Sequence, residues 1–151
     1  MKILVTVGTT RFDALVNAAK ALNSEEVFIQ HANPILENEI HNGVVFANNI
    51  QDYYQQADLI ICHAGAGTIY HLLELGKKLI VVPNFERIDK HQSDLAKYVE
   101  KQGYGLVAWD ITQLSALVEQ SKNFVPREYQ PVKFNKFDEI LSFLSQKSKP
   151  K

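Results

Sequence analysis

The stretch "ICHAGAGTIYHLLELGK", Ile61 to Lys77, decides how this chain is read. With the preceding Leu59 and Ile60 it opens as an apolar run of strand length, suited to a strand buried on both faces. His63 and the small residues Gly65, Ala66 and Gly67 follow, then Thr68 opens a helical pattern that Gly76 stops. A glycine turn between a buried strand and a helix lets backbone approach a ligand. The helix start adds unpaired N–H groups and the positive end of its dipole. The turn is not a P-loop, because no Gly-Lys-Ser/Thr ending follows. Nor does it complete the dinucleotide pattern G-x-G-x-x-G. His63 admits two readings, a ligand contact or a polar group bonded to backbone.

Strand, turn and helix recur on both sides of this stretch. "KILVTV" leads into Gly8, Thr9 and Thr10, and then into a helix pattern through Phe12, Leu15, Val16, Ala19 and Leu22. A phosphate-holding turn and an ordinary turn with a threonine cap both fit there. "KLIVVP" ends at Pro83 and Asn84. After "FERIDK", the helix "KHQSDLAKYVEKQG" closes at Gly103, with His91 and Gln92 in its first turn, facing ligand or solvent. "EVFIQ", "GVVFA" and "GLVAW" are further strands, "IQDYYQQA" a short helix, and "ITQLSALVEQSK" a helix with Thr112 as cap. Such alternation implies a parallel sheet with helices on both faces and ligands at the carboxyl ends of its strands.

Composition narrows the function classes. The 151 residues suit one compact domain, and 46% hydrophobic content can fill its core. A net charge of −1 with interspersed signs gives no nucleic-acid footprint. The single cysteine, Cys62, excludes an intrachain disulfide and a thiolate metal cluster, and a reducing compartment is expected. "MKILVTVGTT" carries no signal-peptide pattern, and no run approaches the roughly 18 apolar residues of a membrane span. The expectation is a cytoplasmic chain, peripheral at the inner face of a membrane through a partner.

"VTVGTTRFDALV", "DLIICHAGAGTIYHLLELGKKLIVVPN" and "KHQSDLAKYVEKQG" together resemble the C-terminal domain of family 28 glycosyltransferases. More narrowly they resemble its free-standing single-domain members. These are the catalytic subunit of the eukaryotic two-part UDP-N-acetylglucosamine transferase of N-glycan assembly, and subunits of bacterial two-part exopolysaccharide and capsule transferases. The resemblance implies a Rossmann-like α/β domain equivalent to the donor-binding half of a GT-B fold, with a UDP-sugar as donor. It places Gly8, Thr9 and Thr10 at the diphosphate, and Phe46 and Ala47 at the uracil. It places His63, Gly65, Ala66, Gly67 and Thr68 at the nucleotide-sugar, and His91 and Gln92 at the sugar hydroxyls. Where the family pattern has a ribose-binding glutamate, this chain has His71, which in its neutral form offers one donor and one acceptor. The sequence has no Asp-x-Asp motif, so no metal cofactor is expected.

The resemblance also implies a membrane-associated subunit that brings a lipid-linked acceptor, and inverting transfer of a hexose or N-acetylhexosamine. Transfer of this kind needs a general base. No residue is assigned to it; Glu86 and Asp89 are the nearest candidates by position, and a solvated role fits them equally. The other function class is a non-catalytic enhancer or scaffold that stabilises a partner transferase. Self-association of the isolated chain stays open.

Residues 1–133 form the expected UDP-sugar-binding domain, and residues 134–151 an amphipathic helix with a basic tail. Phe134, Phe137, Ile140, Leu141, Phe143 and Leu144 make an apolar stripe at helical spacing. It can pack on its own domain or anchor a partner. Truncation at residue 133 is expected to leave a folded domain that no longer co-purifies with the acceptor-binding subunit. Circular dichroism checks the fold, and pull-down yield checks the partner.

Overall fold

The computed structural model describes residues 1–22, 26–84 and 90–130. The proposed partner stripe (Phe134, Phe137, Ile140, Leu141, Phe143, Leu144) lies outside the described residues, as do Glu86 and Asp89.

Strands β1 (Lys2–Thr6), β2 (Glu26–Gln30), β3 (Gly43–Val44), β4 (Leu59–His63), β5 (Leu79–Val82) and β6 (Leu106–Val107) form one sheet. Its order is β3-β2-β1-β4-β5-β6 and every pairing is parallel. This is the doubly wound order of the Rossmann fold, with a topological switch between β1 and β4. Among the described residues five α-helices accompany it: α1 (Asp13–Lys20), α2 (Ile50–Gln56), α3 (Ala66–Glu74), α4 (Lys90–Gln102) and α5 (Leu114–Ser121).

The two-residue period of the strands divides the core into two layers. Ile3, Val5, Ile29, Ile61, Ile80 and Val82 point to one face, where Leu15, Val16 and Ala19 of α1 and Leu114 and Val118 of α5 cover them. Leu4, Ile60, Cys62, Leu79 and Val81 point to the other, under Tyr54 of α2, Ile69 and Leu72 of α3 and Leu95 and Val99 of α4. β1, β4 and β5 are apolar on both faces because both are covered. The Cys62 thiol is fully buried there, and burial pushes its pKa up to about 12.

Gly76 and Gly103 end α3 and α4 in the left-handed conformation (φ +71° and +73°), as expected for helix stops. Several boundaries differ from the sequence reading, β6 among them, which spans only Leu106–Val107 of "GLVAW". β3 spans only Gly43–Val44 rather than the whole of "GVVFA". α1 starts at Asp13 after the buried Phe12, with no side-chain cap, so Thr9 and Thr10 do not cap it. Before α5, Asp110 and not Thr112 is the cap: its carboxylate accepts from the Thr112 N–H at 2.9 Å and starts a 3₁₀ turn at Ile111–Gln113. Asx turns of this kind depend on a short acceptor side chain, which Asp110 supplies. A second 3₁₀ turn, Pro34–Leu36, follows β2 and has no counterpart in the sequence reading.

Beyond α5 the chain crosses from one core layer to the other. Phe124 packs on the α1–α5 layer and Tyr129 on the α3–α4 layer, where its ring lies 5.2 Å from that of Tyr104 and 6.0 Å from that of Tyr70. The Arg127 N–H donates to the Gly103 carbonyl at 2.8 Å. This crossing runs past the ends of α3 and α4, at the amino-terminal edge of the sheet, opposite the strand ends that carry the glycine turns.

Two imidazoles, the buried His31 and the half-buried His63, link stability to pH. His31 is 1% exposed, and burial lowers its pKa; the Asn33 N–H donates to its Nδ1 at 3.3 Å while its Nε2 has no partner. Burial also lowers the pKa of His63. The unfolded chain therefore binds protons first as pH falls below about 6.5, and stability present above that pH is lost through the acid side of it. The melting temperature is expected to drop between about pH 7 and pH 5, and to drop less in His31→Gln, as thermal melts at the two pH values would show.

Candidate functional site

β1 and β4 lie side by side, with Thr6 paired to Cys62. Beyond them the chain turns away in two directions, through Gly8 on one side and through Gly65 on the other. The crevice so opened is a cleft of about 330 Å³ lined by Thr10, Phe12, His63, Ala64, Gly65, Ala66, Asn84, His91, Gln92 and Leu95. Three segments far apart in the chain meet there, as the sequence reading expected for the glycine turns and the start of α4. A second hollow of similar size, about 340 Å³, lies between α2 and β1–β2 around Phe28 and Tyr53. It collects none of the glycine-turn residues, so the switch-point cleft is the candidate site.

The first turn of α3 is the cleft's electropositive element. Gly65 is its N-cap and supplies no side-chain acceptor, so the leading amides of Ala66, Gly67 and Thr68 have no intrahelical partner. Ala66 and Gly67 are exposed. A Cβ on Gly67 would meet nothing within 4 Å, so space lies open in front of it. An anion set against these amides would be held by backbone N–H groups and the helix dipole.

Gly65 and Gly8 owe their identity to a neighbour within the chain. A Cβ on Gly65 would come 2.5 Å from His63 Nε2, and one on Gly8 would come 3.0 Å from His63 Cε1. Gly8 also has φ +68°, a conformation side chains disfavour. The His63 imidazole is thus wedged between the two glycine turns. Its Nδ1 is buried, and burial lowers its pKa, opposed by the nearby Thr6 backbone. The neutral form is the stable one at pH 7, leaving the ring a donor at one nitrogen and an acceptor at the other. Space lies open before Gly67, whereas at Gly8 and Gly65 it is taken by His63.

The Gly8 turn is held by a residue that sequence reasoning missed. Gln30, 4% exposed, accepts from the Gly8 N–H at 3.0 Å and donates to the Gly8 carbonyl at 2.9 Å. The Gly8 amide is therefore engaged within the chain. Only an uncharged side chain with both donor and acceptor can bond both groups of one residue, and a glutamine at a strand end carries no local signal of that role.

Phe46, Ala47, Thr68 and His71 sit apart from the cleft lining. Phe46, 57% exposed, and Ala47 follow β3 at the far side of β2. Thr68 turns toward α2, where its side chain lies near Tyr54. His71 also faces α2: its Nε2 lies 2.7 Å from Gln51 Oε1, and its ring is 5.8 Å from that of Tyr54. At the start of α4, Gln92 Oε1 accepts from the Asn84 N–H at 3.1 Å and ties the helix to the end of β5, while His91 is exposed. Among the described residues no group of three or more His, Cys, Asp or Glu is placed to hold a metal ion, and no helix is long and apolar enough to cross a membrane.

A six-stranded parallel sheet in this order, with its cleft at the switch point, defines a Rossmann-like domain of the type found as the C-terminal half of GT-B glycosyltransferases. The profile of the glycosyltransferase family 28 C-terminal domain matches residues 2–136, and the chain belongs to that family. It is 34% identical over 119 residues to the mouse (Mus musculus) UDP-N-acetylglucosamine transferase subunit ALG13, an alignment covering 68% of this chain and 10% of that protein. The chain thus spans about a tenth of the length of that relative and of its human counterpart. Among solved structures, the solution structure of ALG13 superposes with a TM-score of 0.61 at 23% identity, covering 93% of this chain and 94% of that one. Acinetobacter baumannii MurG superposes with a TM-score of 0.64 at 24% identity, covering 81% of this chain and 41% of that one.

The two glycines of the α3 turn are expected to respond oppositely to the same change. Gly67→Ala should stabilise the protein by up to about 1 kcal/mol, because an exposed helical glycine gains from a methyl group. Gly65→Ala should destabilise it, and His63→Ala in the same chain should relieve much of the loss. Denaturant melts of the three variants test this.

Proposed function

We propose that this chain is the donor-binding catalytic subunit of a two-component inverting glycosyltransferase. In this reading it binds a UDP-sugar in the switch-point cleft. The observation that carries the reading is the open first turn of α3, uncapped and facing a cleft that His63, His91 and Gln92 also line. Family membership supplies the reaction class, and the names of the relatives make UDP-N-acetylglucosamine the first donor to test.

The diphosphate rests against the amides of Ala66 and Gly67, where developing charge on departing UDP meets the helix dipole. No metal takes part. His91 and Gln92 face the sugar. Uracil packs at Phe46 and Ala47, and the ribose lies toward His71. A partner at the cytoplasmic face of a membrane contributes the lipid-linked acceptor and the general base, and the product enters glycan or polysaccharide assembly. The second reading, a non-catalytic subunit that stabilises a partner transferase, is favoured by one observation. His71 commits Nε2 to Gln51, so the ribose gains no carboxylate there.

Calorimetric titration of the whole chain with UDP and with UDP-N-acetylglucosamine tests the proposal. Wild type should bind both. Gln92→Ala should weaken the UDP-sugar by on the order of 1 kcal/mol and leave UDP little changed. Equal losses for the two ligands would mean that Gln92 serves Asn84 and not the sugar.

A further inference from the structure

We infer that Gln30 is a positioning residue for nucleotide binding: its carboxamide fixes the Gly8 turn, which packs through His63 against the diphosphate-holding turn of α3, in one relation to the segment after β3 that leads to Phe46, so that diphosphate and base are received together. The inference rests on the nucleotide-sugar reading above.

Gln30 is the last residue of β2, between β1 and β3 in the sheet, and it is paired in register with Thr6. Its Oε1 accepts from the Thr6 hydroxyl at 2.6 Å, the Gly8 N–H at 3.0 Å and the Val7 N–H at 3.2 Å. Its Nε2 donates to the Gly8 carbonyl at 2.9 Å and to the Val45 carbonyl at 2.7 Å. A carboxamide has two N–H donors, and both are used. The bonds reach across both neighbouring strands, from the turn after β1 to the residue before Phe46. One buried side chain therefore couples the turn after β1 to the segment after β3, on the far side of β2.

The chemistry admits few substitutes. Glutamate keeps the acceptor but sets an oxygen against the Gly8 and Val45 carbonyls. Asparagine is one methylene shorter. Methionine matches the length but removes the bonds that Gln30 gives to the half-buried Gly8 N–H and C=O, while Val7 N–H and the Val45 carbonyl keep main-chain partners.

A purely architectural Gln30 would lower the melting temperature and leave the affinity of the folded protein intact. The test therefore compares the whole chain carrying Gln30→Met with wild type and with Val118→Ala, a core truncation under α5 that serves as a stability control. UDP is titrated calorimetrically at a temperature where all three are folded. The expected result is a loss of UDP affinity of about ten-fold or more in Gln30→Met and none in Val118→Ala.

Gln30→Glu gives an independent reading should the methionine variant not fold. Its UDP affinity, relative to wild type at the same pH, should recover between about pH 8 and about pH 5.5, as a buried carboxyl takes up a proton and can donate again. Wild-type affinity in folded Gln30→Met, or a Gln30→Glu ratio that does not change with pH, would overturn the role of Gln30 alone. Absence of UDP binding by wild type would instead overturn the nucleotide reading, and this inference with it.

Discussion

The pairing of β1 with β4 is the constraint on which the rest of the structure depends. Ile3, Leu4, Val5 and Thr6 lie against Leu59, Ile60, Ile61 and Cys62, though the two strands are separated by two other strands and three connections in sequence. Parallel neighbours cannot be joined by a tight turn, so each strand must hand its chain to a crossover. The β1 crossover goes to one face and the β4 crossover to the other. The cleft is what remains between them. It needs no dedicated scaffold, since a doubly wound sheet leaves a crevice wherever its winding reverses.

Within that crevice the small residues and the histidine form one packing unit. His63 can occupy its place only because neither Gly8 nor Gly65 carries a side chain. The ring in turn holds the two turns apart, and the amides beyond Gly65 stay open. This ordering separates two jobs that a glycine-rich motif runs together. Gly65 clears room for a residue of the same chain, while Gly67 faces empty space.

Much of the fold was legible because its signals are local. The apolar runs of β1, β4 and β5 are continuous, Gly76 and Gly103 close helices where their φ values require, and the helix of "IQDYYQQA" appears as α2. β3 is shorter than "GVVFA" suggests, since only Gly43 and Val44 find ladder partners on β2. Strand order was not legible, because it depends on which faces the crossovers choose. The cleft was legible as far as Thr10, His63, Gly65, Ala66, His91 and Gln92. Gln30 was not, because its partners lie on β1, at the Gly8 turn and beyond β3, and no spacing along the chain records them. His71 stands where the family pattern has a ribose-binding glutamate, and its contact with Gln51 was not legible because that partner lies on another helix.

Cys62 has a consequence of a different kind. It is the only cysteine, it sits in the strand that carries the cleft, and it is sealed beneath α2, α3 and α4. With its thiol held near pKa 12, the thiolate that alkylating reagents attack is all but absent in the native state. Labelling can proceed only when β4 is uncovered. The rate of modification is therefore a built-in clock for opening of the central sheet, read at one atom and without an added probe. Any ligand that binds only while β4 is covered would slow that clock exponentially in the free energy it adds.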